Sequence, residues 1–165
     1  MNYSISFTSL AIGEHKFDFE IDKTLFELFE NEDIFDARVV LHIDLIKEER
    51  MLTFVFNFQG KLNVLCDRCL DPLDIAIKGS NTLFVKFGEE NVEQDDDIIF
   101  ISNKENKIDL SHYIYEYILL QKPMKCVHPI NKCNPDIIER IINKEENNEK
   151  SIDPRWSVLK NIKFE

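Results

Sequence analysis

The chain has 165 residues, 44% of them apolar and 13 of them phenylalanine, and its 20 basic and 31 acidic side chains leave a formal net charge of −11. Burial of this much large apolar surface can offset the entropy of ordering a domain, which excludes a chain that is disordered throughout. No apolar run approaches the roughly 20 residues of a bilayer span, and the N-terminus lacks a secretory-signal pattern, so we expect a cytoplasmic protein without membrane contact.

The charge is unevenly distributed along the chain. Residues 1–120 carry 11 basic and 24 acidic side chains, a net charge of −13, whereas residues 121–165 carry 9 and 7, a net charge of +2. Counterion release on nucleic acid needs clustered cations, so direct phosphate contacts are expected from the last third and a basic protein partner from the rest. A merely solubilising surface is the alternative to both.

The N-terminal region predicts two short strands and one short helix. Apolar and polar side chains alternate over 3–9 and over 15–21, with Gly13 at the turn between them. Thr24 is expected to cap a brief helix, with Glu27 completing a capping box.

Stronger alternation follows and predicts an antiparallel β-meander. Its runs span 39–48, 51–66, 71–79 and 81–90. Gly60, inside the longest run, predicts a bulge or bend. Residues 89–97 form an acidic loop, and 98–102 a last short strand.

The period then changes to that of helices. The best predicted helix spans 109–122, places one apolar face toward the core and ends before Pro123. This face consists of Leu110, Ile114, Tyr117 and Ile118. A loop over 124–135 leads to an amphipathic helix over 136–145, and 153–162 predicts a short tail helix. Its cap is Asp153, and its anchors are Trp156, Leu159 and Ile162.

Together these elements predict an α+β fold: an antiparallel β-meander forming a partly closed or barrel-like sheet, with one main helix and a helical C-terminal segment. We expect residues 1–123 to form the β-rich domain with the acidic loop and the closing helix 109–122. Residues 124–165 should pack on it as a clasp loop and helical tail.

The clasp is predicted from four cysteine and histidine positions. Cys66-Asp-Arg-Cys69 has the spacing at which one turn brings two thiolates to one ion, as in structural zinc knuckles. Cys126 and Cys133 are too far apart for a second pair, whereas His128 and Cys133 lie within the usual ligand spacing. The predicted metal ligands are therefore Cys66, Cys69, His128 and Cys133, with Cys126 as a substitute, around one structural zinc ion.

These cysteines have two other interpretations. Free cysteine packs as a small apolar residue, so plain burial stays open. Redox chemistry is disfavoured because the meander does not place the turn at the start of a helix in a βαβ unit. The chain also lacks a metalloprotease motif, a phosphate-binding loop and a nucleophile elbow, so no catalytic residue and no small-molecule substrate are predicted.

Four segments together resemble the YceD-like family of large ribosomal RNA subunit accumulation proteins. They are CDRCLDPLDIAI, KIDLSHYIYEYILLQKP, HPINKC and DPRWSVLKNI, and the resemblance spans about residues 36–165. It implies a non-enzymatic bacterial ribosome-biogenesis factor that supports accumulation or processing of large-subunit (23S) ribosomal RNA. Carried over residue by residue, it also places ligands at Cys66, Cys69, His128 and Cys133.

The immediate partner stays open between two hypotheses. In the first, the protein touches a large-subunit RNA precursor through side chains near the clasp and the tail. The predicted contacts are Arg68, Lys122, Lys125, Lys132, Arg155, Trp156 and Lys160. A metal would fix the backbone of Arg68, and its guanidinium would then point outward to a phosphate. In the second hypothesis, an acidic metal-stapled adaptor binds a basic ribosomal protein without contacting RNA.

Overall fold

The computed structural model describes residues 3–88, 98–102 and 104–147. Its strands are β1 (Ser4–Ser6), β2 (Gly13–Ile21), β3 (Asp36–Lys47), β4 (Met51–Leu65), β5 (Pro72–Phe87), β6 (Ile98–Ile101) and β7 (Lys107–Asp109). Its α-helices are α1 (Lys23–Leu28), α2 (Ser111–Gln121) and α3 (Pro135–Asn147), and a 3-10 turn covers Ile130–Lys132. The predicted acidic loop 89–97 and tail helix 153–162 lie outside the described residues.

The main sheet has the strand order β2-β3-β4-β5-β6. Neighbouring strands from β2 to β5 are antiparallel, which confirms the α+β class and the predicted meander. β6 instead pairs with β5 in parallel. Within the described residues, the outer strands β2 and β6 do not meet, so the sheet is open and the predicted barrel-like closure is not observed.

Strand β5 is continuous where the sequence predicts a Gly-Ser-Asn turn. Gly79 and Asn81 lie inside β5, facing the end of α2. A Cβ atom on Gly79 would lie 2.0 Å from Oε1 of Gln121, whose Nε2 donates to Asn81 Oδ1 over 3.0 Å. The prediction was wrong because these turn-type residues make room for a helix end and hold it.

Gly60 also has a structural role other than the predicted bulge. The antiparallel register runs unbroken through Val39, Gly60 and Ile77. A Cβ atom at Gly60 would lie only 2.2 Å from the Arg38 carbonyl oxygen. Glycine is therefore required here because the β3 backbone approaches too closely for any side chain.

The N-terminal predictions are partly corrected. β1 does not form a hairpin with β2, but pairs with β7 in a separate two-stranded sheet. Asp22, rather than Thr24, caps α1, because its Oδ1 accepts a 2.9 Å hydrogen bond from the Thr24 amide. Glu27 forms an ion pair with Lys23 at 2.9 Å instead of completing a capping box.

The core lies between the sheet and α2. Leu110, Ile114 and Ile118 are fully buried, as the helical period predicted. Tyr117 is half-buried and packs its ring edge-on against Phe56, with ring centroids 5.2 Å apart. A second, smaller cluster contains the cysteines at the end of β4. It consists of Cys66, Cys69 and Cys133 with Leu73, Val127, Ile137 and Ile138 packed against it.

Candidate metal centre

The first half of the site is the turn between β4 and β5. The Cys66 amide donates to the Asp71 carbonyl and the Leu70 amide donates to the Cys66 carbonyl, each over 2.9 Å. Leu70 has a φ of +62°, a left-handed conformation that a tight turn needs and that side chains other than glycine and asparagine rarely adopt. This closed turn holds the sulfurs of Cys66 and Cys69 in one cluster.

The second half comes from the loop after α2. The His128 amide donates to Cys66 Sγ over 3.5 Å, so the loop backbone lies against the turn. The 3-10 turn that follows then brings Cys133 over the same cluster, where its sulfur is 4.0 Å from Cys66 Sγ. The structure thus brings together two chain segments about 60 residues apart in sequence.

The donor atoms match tetrahedral metal coordination. The four ligand atoms of Cys66, Cys69, His128 and Cys133 lie within 4.8 Å of one another. Cys69 Sγ and His128 Nδ1 are 3.5 Å apart. Ordinary zinc bond lengths and tetrahedral angles give about 3.8 Å between two sulfurs and about 3.6 Å between sulfur and nitrogen. Three thiols and one imidazole at these distances could hold one metal ion.

The histidine is oriented for coordination. Its Nε2 lies 3.2 Å from the Pro72 carbonyl oxygen, which can only accept a hydrogen bond. Nε2 therefore carries the proton, and the lone pair of Nδ1 faces the three sulfurs. A backbone carbonyl that fixes the tautomer of a ligating histidine in this way is a regular feature of zinc sites.

The surroundings act differently on the ionisation of the thiols. Burial disfavours the Cys66 thiolate, but N–H groups that donate to its sulfur outweigh burial and lower its pKa to about 6. These donors are the amides of His128, Cys69 and Arg68. Burial and the neighbouring sulfurs raise the pKa of Cys133, while hydrogen bonds to the sulfurs of Cys69 and Cys66 raise the pKa of His128. The cluster thus holds a thiolate ready to bind a cation.

The predicted substitute ligand, Cys126, does not belong to the site. It is buried in the main core, its Sγ donates to the Pro123 carbonyl over 3.4 Å, and burial raises the pKa of its thiol. Arg68 also differs from expectation. Its Nη1 donates to Cys133 Sγ over 3.5 Å, so the guanidinium contacts the clasp instead of pointing away from it.

The other predicted contact residues lie around the loop or outside the described residues. Lys122 caps the end of α2 and is half-buried, while Lys125 and Lys132 are exposed. Arg155, Trp156 and Lys160 are not among the residues that the structure describes. Sequence reasoning missed the Pro72 carbonyl and the side chain of Asp67, because both act on or through backbone atoms and leave no spacing signal.

No helix in the described ranges is long and apolar enough to cross a membrane. Fold and site together define a small α+β protein in which a cluster of three cysteines and one histidine joins one end of an open sheet to the following loop. The family model described as "Large ribosomal RNA subunit accumulation protein YceD" matches residues 54–163, most of the chain. The chain belongs to this family.

The family's description ties it to the accumulation of ribosomal RNA of the large subunit and names no reaction. The matched residues include the whole cluster and α2. No curated protein and no solved structure matches the chain.

Proposed function

We propose that this protein is a non-enzymatic, cytoplasmic ribosome-biogenesis factor that supports the accumulation or processing of 23S ribosomal RNA. One structural zinc ion in the cluster of three cysteines and one histidine would act as a tie between the sheet and the C-terminal third of the chain. The family match supports the process, and the tetrahedral arrangement of Cys66, Cys69, His128 and Cys133 supports the tie.

The tie would decide where α3 lies. Ile137 and Ile138, in the first turn of α3, pack against the three cysteines. Zinc bound by thiolates from both sides of the cluster would therefore hold this helix on the β-rich part. We accordingly treat residues 1–123 as the β-rich domain and 124–165 as the clasp and tail packed on it.

The proposed RNA contacts lie around this tie. Lys125 and Lys132 are exposed on the loop that carries the second half of the cluster, and Lys122 starts that loop. Arg68, half-exposed, uses one nitrogen on Cys133, and a guanidinium has further donors that can reach a phosphate. In the tail, Arg155, Trp156 and Lys160 complete the proposed surface, consistent with the +2 charge of residues 121–165.

Depletion of the protein tests the process directly. We expect mature large-subunit ribosomal RNA to fall relative to small-subunit RNA, and re-expression of the wild-type chain to restore the ratio. Re-expression of Lys125→Glu/Lys132→Glu should restore it poorly if RNA contact is direct, because like charges repel the phosphates. The matched control is Lys104→Glu/Lys107→Glu, which places the same charge changes before α2. An unchanged ratio after depletion would contradict the assignment.

A second candidate is supported by a groove beside α1. Its volume is about 480 Å³, and its walls are mainly acidic and apolar. They consist of Lys23, Glu27, Glu30, Asn31, Glu32, Ile34 and Phe35. An acidic adaptor could hold a basic ribosomal protein here. Nuclease treatment discriminates between the two functions: an adaptor retains a basic protein after it, whereas direct RNA binding is lost and is also steeply salt-dependent.

A further inference from the structure

We infer that Asp67, the second residue of the Cys-Asp-Arg-Cys turn, is a positioning residue that sets the second half of the metal cluster in place. By doing so it makes His128, and not Cys126, the ligand that completes the set. This inference rests on the metal site proposed above.

Asp67 is bound to the loop at two points. Its amide donates to the Cys126 carbonyl over 2.8 Å, and its carboxylate Oδ2 accepts from the Cys126 amide over 2.6 Å. The second bond is charge-assisted, a class roughly twice as strong as a neutral hydrogen bond. Because one residue binds both backbone groups of another, the loop can neither slide along the turn nor rotate about a single contact.

This clamp fixes the direction of the Cys126 side chain. Cys126 is 3% exposed within the main core, and its Sγ donates to the Pro123 carbonyl. Turning its sulfur toward Cys66 and Cys69 would require rotation of the backbone that Asp67 holds at both groups. Two residues later the chain meets the cluster again, where the His128 amide donates to Cys66 Sγ. The clamp therefore selects the ligand by geometry.

The clamp also prepares the site before a metal arrives. A loop that is free in the metal-free protein must lose backbone entropy when zinc binds, whereas a loop already held in place avoids that loss. Removing residues that orient metal ligands typically weakens metal binding about 10–100-fold, and we expect Asp67→Ala to fall in that range.

Zinc affinity of the full chain, measured by competition with a chelating dye, tests the positioning role. Asp67→Ala should bind zinc about 10–100-fold more weakly than wild type. Asp67→Asn keeps an oxygen acceptor but loses its charge, so we expect only about five-fold weakening. Asp71→Ala is the matched control, because it removes the same charge from the same turn. The contribution of Asp71 to the turn, its carbonyl, is backbone. We expect Asp71→Ala to stay within about three-fold of wild type.

Cobalt absorption adds a readout that loss of stability alone would not change. Wild type should show the bands of tetrahedral coordination by three sulfurs and one nitrogen. Asp67→Ala should shift toward the bands of four-sulfur coordination, as Cys126 competes with His128. The double variant Asp67→Ala/Cys126→Ser should return the wild-type bands.

Equal affinity and unchanged bands in Asp67→Ala and Asp71→Ala would overturn the positioning role while leaving the metal site intact. Wild-type protein that binds neither zinc nor cobalt would refute the site and this inference together. If Asp67→Ala does not fold, the comparison of Asp67→Asn with Asp71→Asn decides. Equal zinc affinity in these two variants would overturn the role.

Discussion

Replacing Cys69 by serine should abolish metal binding without unfolding the sheet. Cys69 supplies one of the four donors, and its sulfur lies 3.5 Å from His128 Nδ1. Protein purified without chelator should carry about one equivalent of zinc, and Cys69→Ser close to none. The control is Cys126→Ser, which changes another buried cysteine that lies outside the cluster.

The size of the effect follows from linkage. Free zinc at about 1,000 times its dissociation constant stabilises the native state by about 4 kcal/mol. In a chain of this length, each kcal/mol shifts the melting temperature by about 2–4 °C. Chelation should therefore lower the melting temperature of wild type by about 8–16 °C.

Calorimetry with and without chelator distinguishes a metal site from plain cysteine burial. Cys126→Ser also places a hydroxyl in the core, so its absolute melting temperature should fall, yet its chelator-dependent shift should equal that of wild type. Cys69→Ser should show no shift at all. Metal-free wild-type protein, or equal chelator shifts in both variants, would refute the metal centre and leave burial as the role of these cysteines.

Three further predictions concern stability, a residue beside the ligands, and pH. Gly60→Ala should destabilise the chain by about 3 kcal/mol or more in urea unfolding, because its Cβ would meet the β3 backbone, whereas Gly88→Ala, with open space around it, should change little. Arg68→Ala should weaken zinc binding about 10-fold in dye competition, because a donor to a thiolate is lost, while Lys125→Ala should leave the affinity unchanged. Zinc affinity should fall as the pH falls through about 6, because the lowered pKa of Cys66 keeps its thiolate available above that value and protons compete below it; a pH-independent affinity would contradict this order.

The sequence predicted those parts of the fold that local pattern determines. β3 and β4 were found because one face of each is buried, so side chains alternate along the whole strand. The buried face of α2 was found for the corresponding reason at the helical period. The break inside β5 was wrongly predicted, since Gly79 answers to a helix end that is distant in sequence. The parallel pairing of β6 also depends on a long connection and has no local signal.

The site was predictable to the same depth. Ligand spacing pointed to His128 and Cys133, and the structure brings both to the cysteine turn. The position of Cys126 was beyond reach, because cysteine is equally suited to a metal site and to a core. Asp67 was beyond reach for a different reason: its partners are backbone groups, which every residue carries.

The location of the cluster explains why a small factor would use a metal here. The main core between the sheet and α2 is complete without α3, whose described apolar contacts run through Ile137 and Ile138 to the cysteines. A helix that attaches through two side chains buries too little apolar area to stay docked by itself. Thiolate and imidazole bonds to one ion add the missing attachment free energy at a single point. The sheet can then fold as an acidic unit, while the metal fixes how the more basic C-terminal third is presented to its partner.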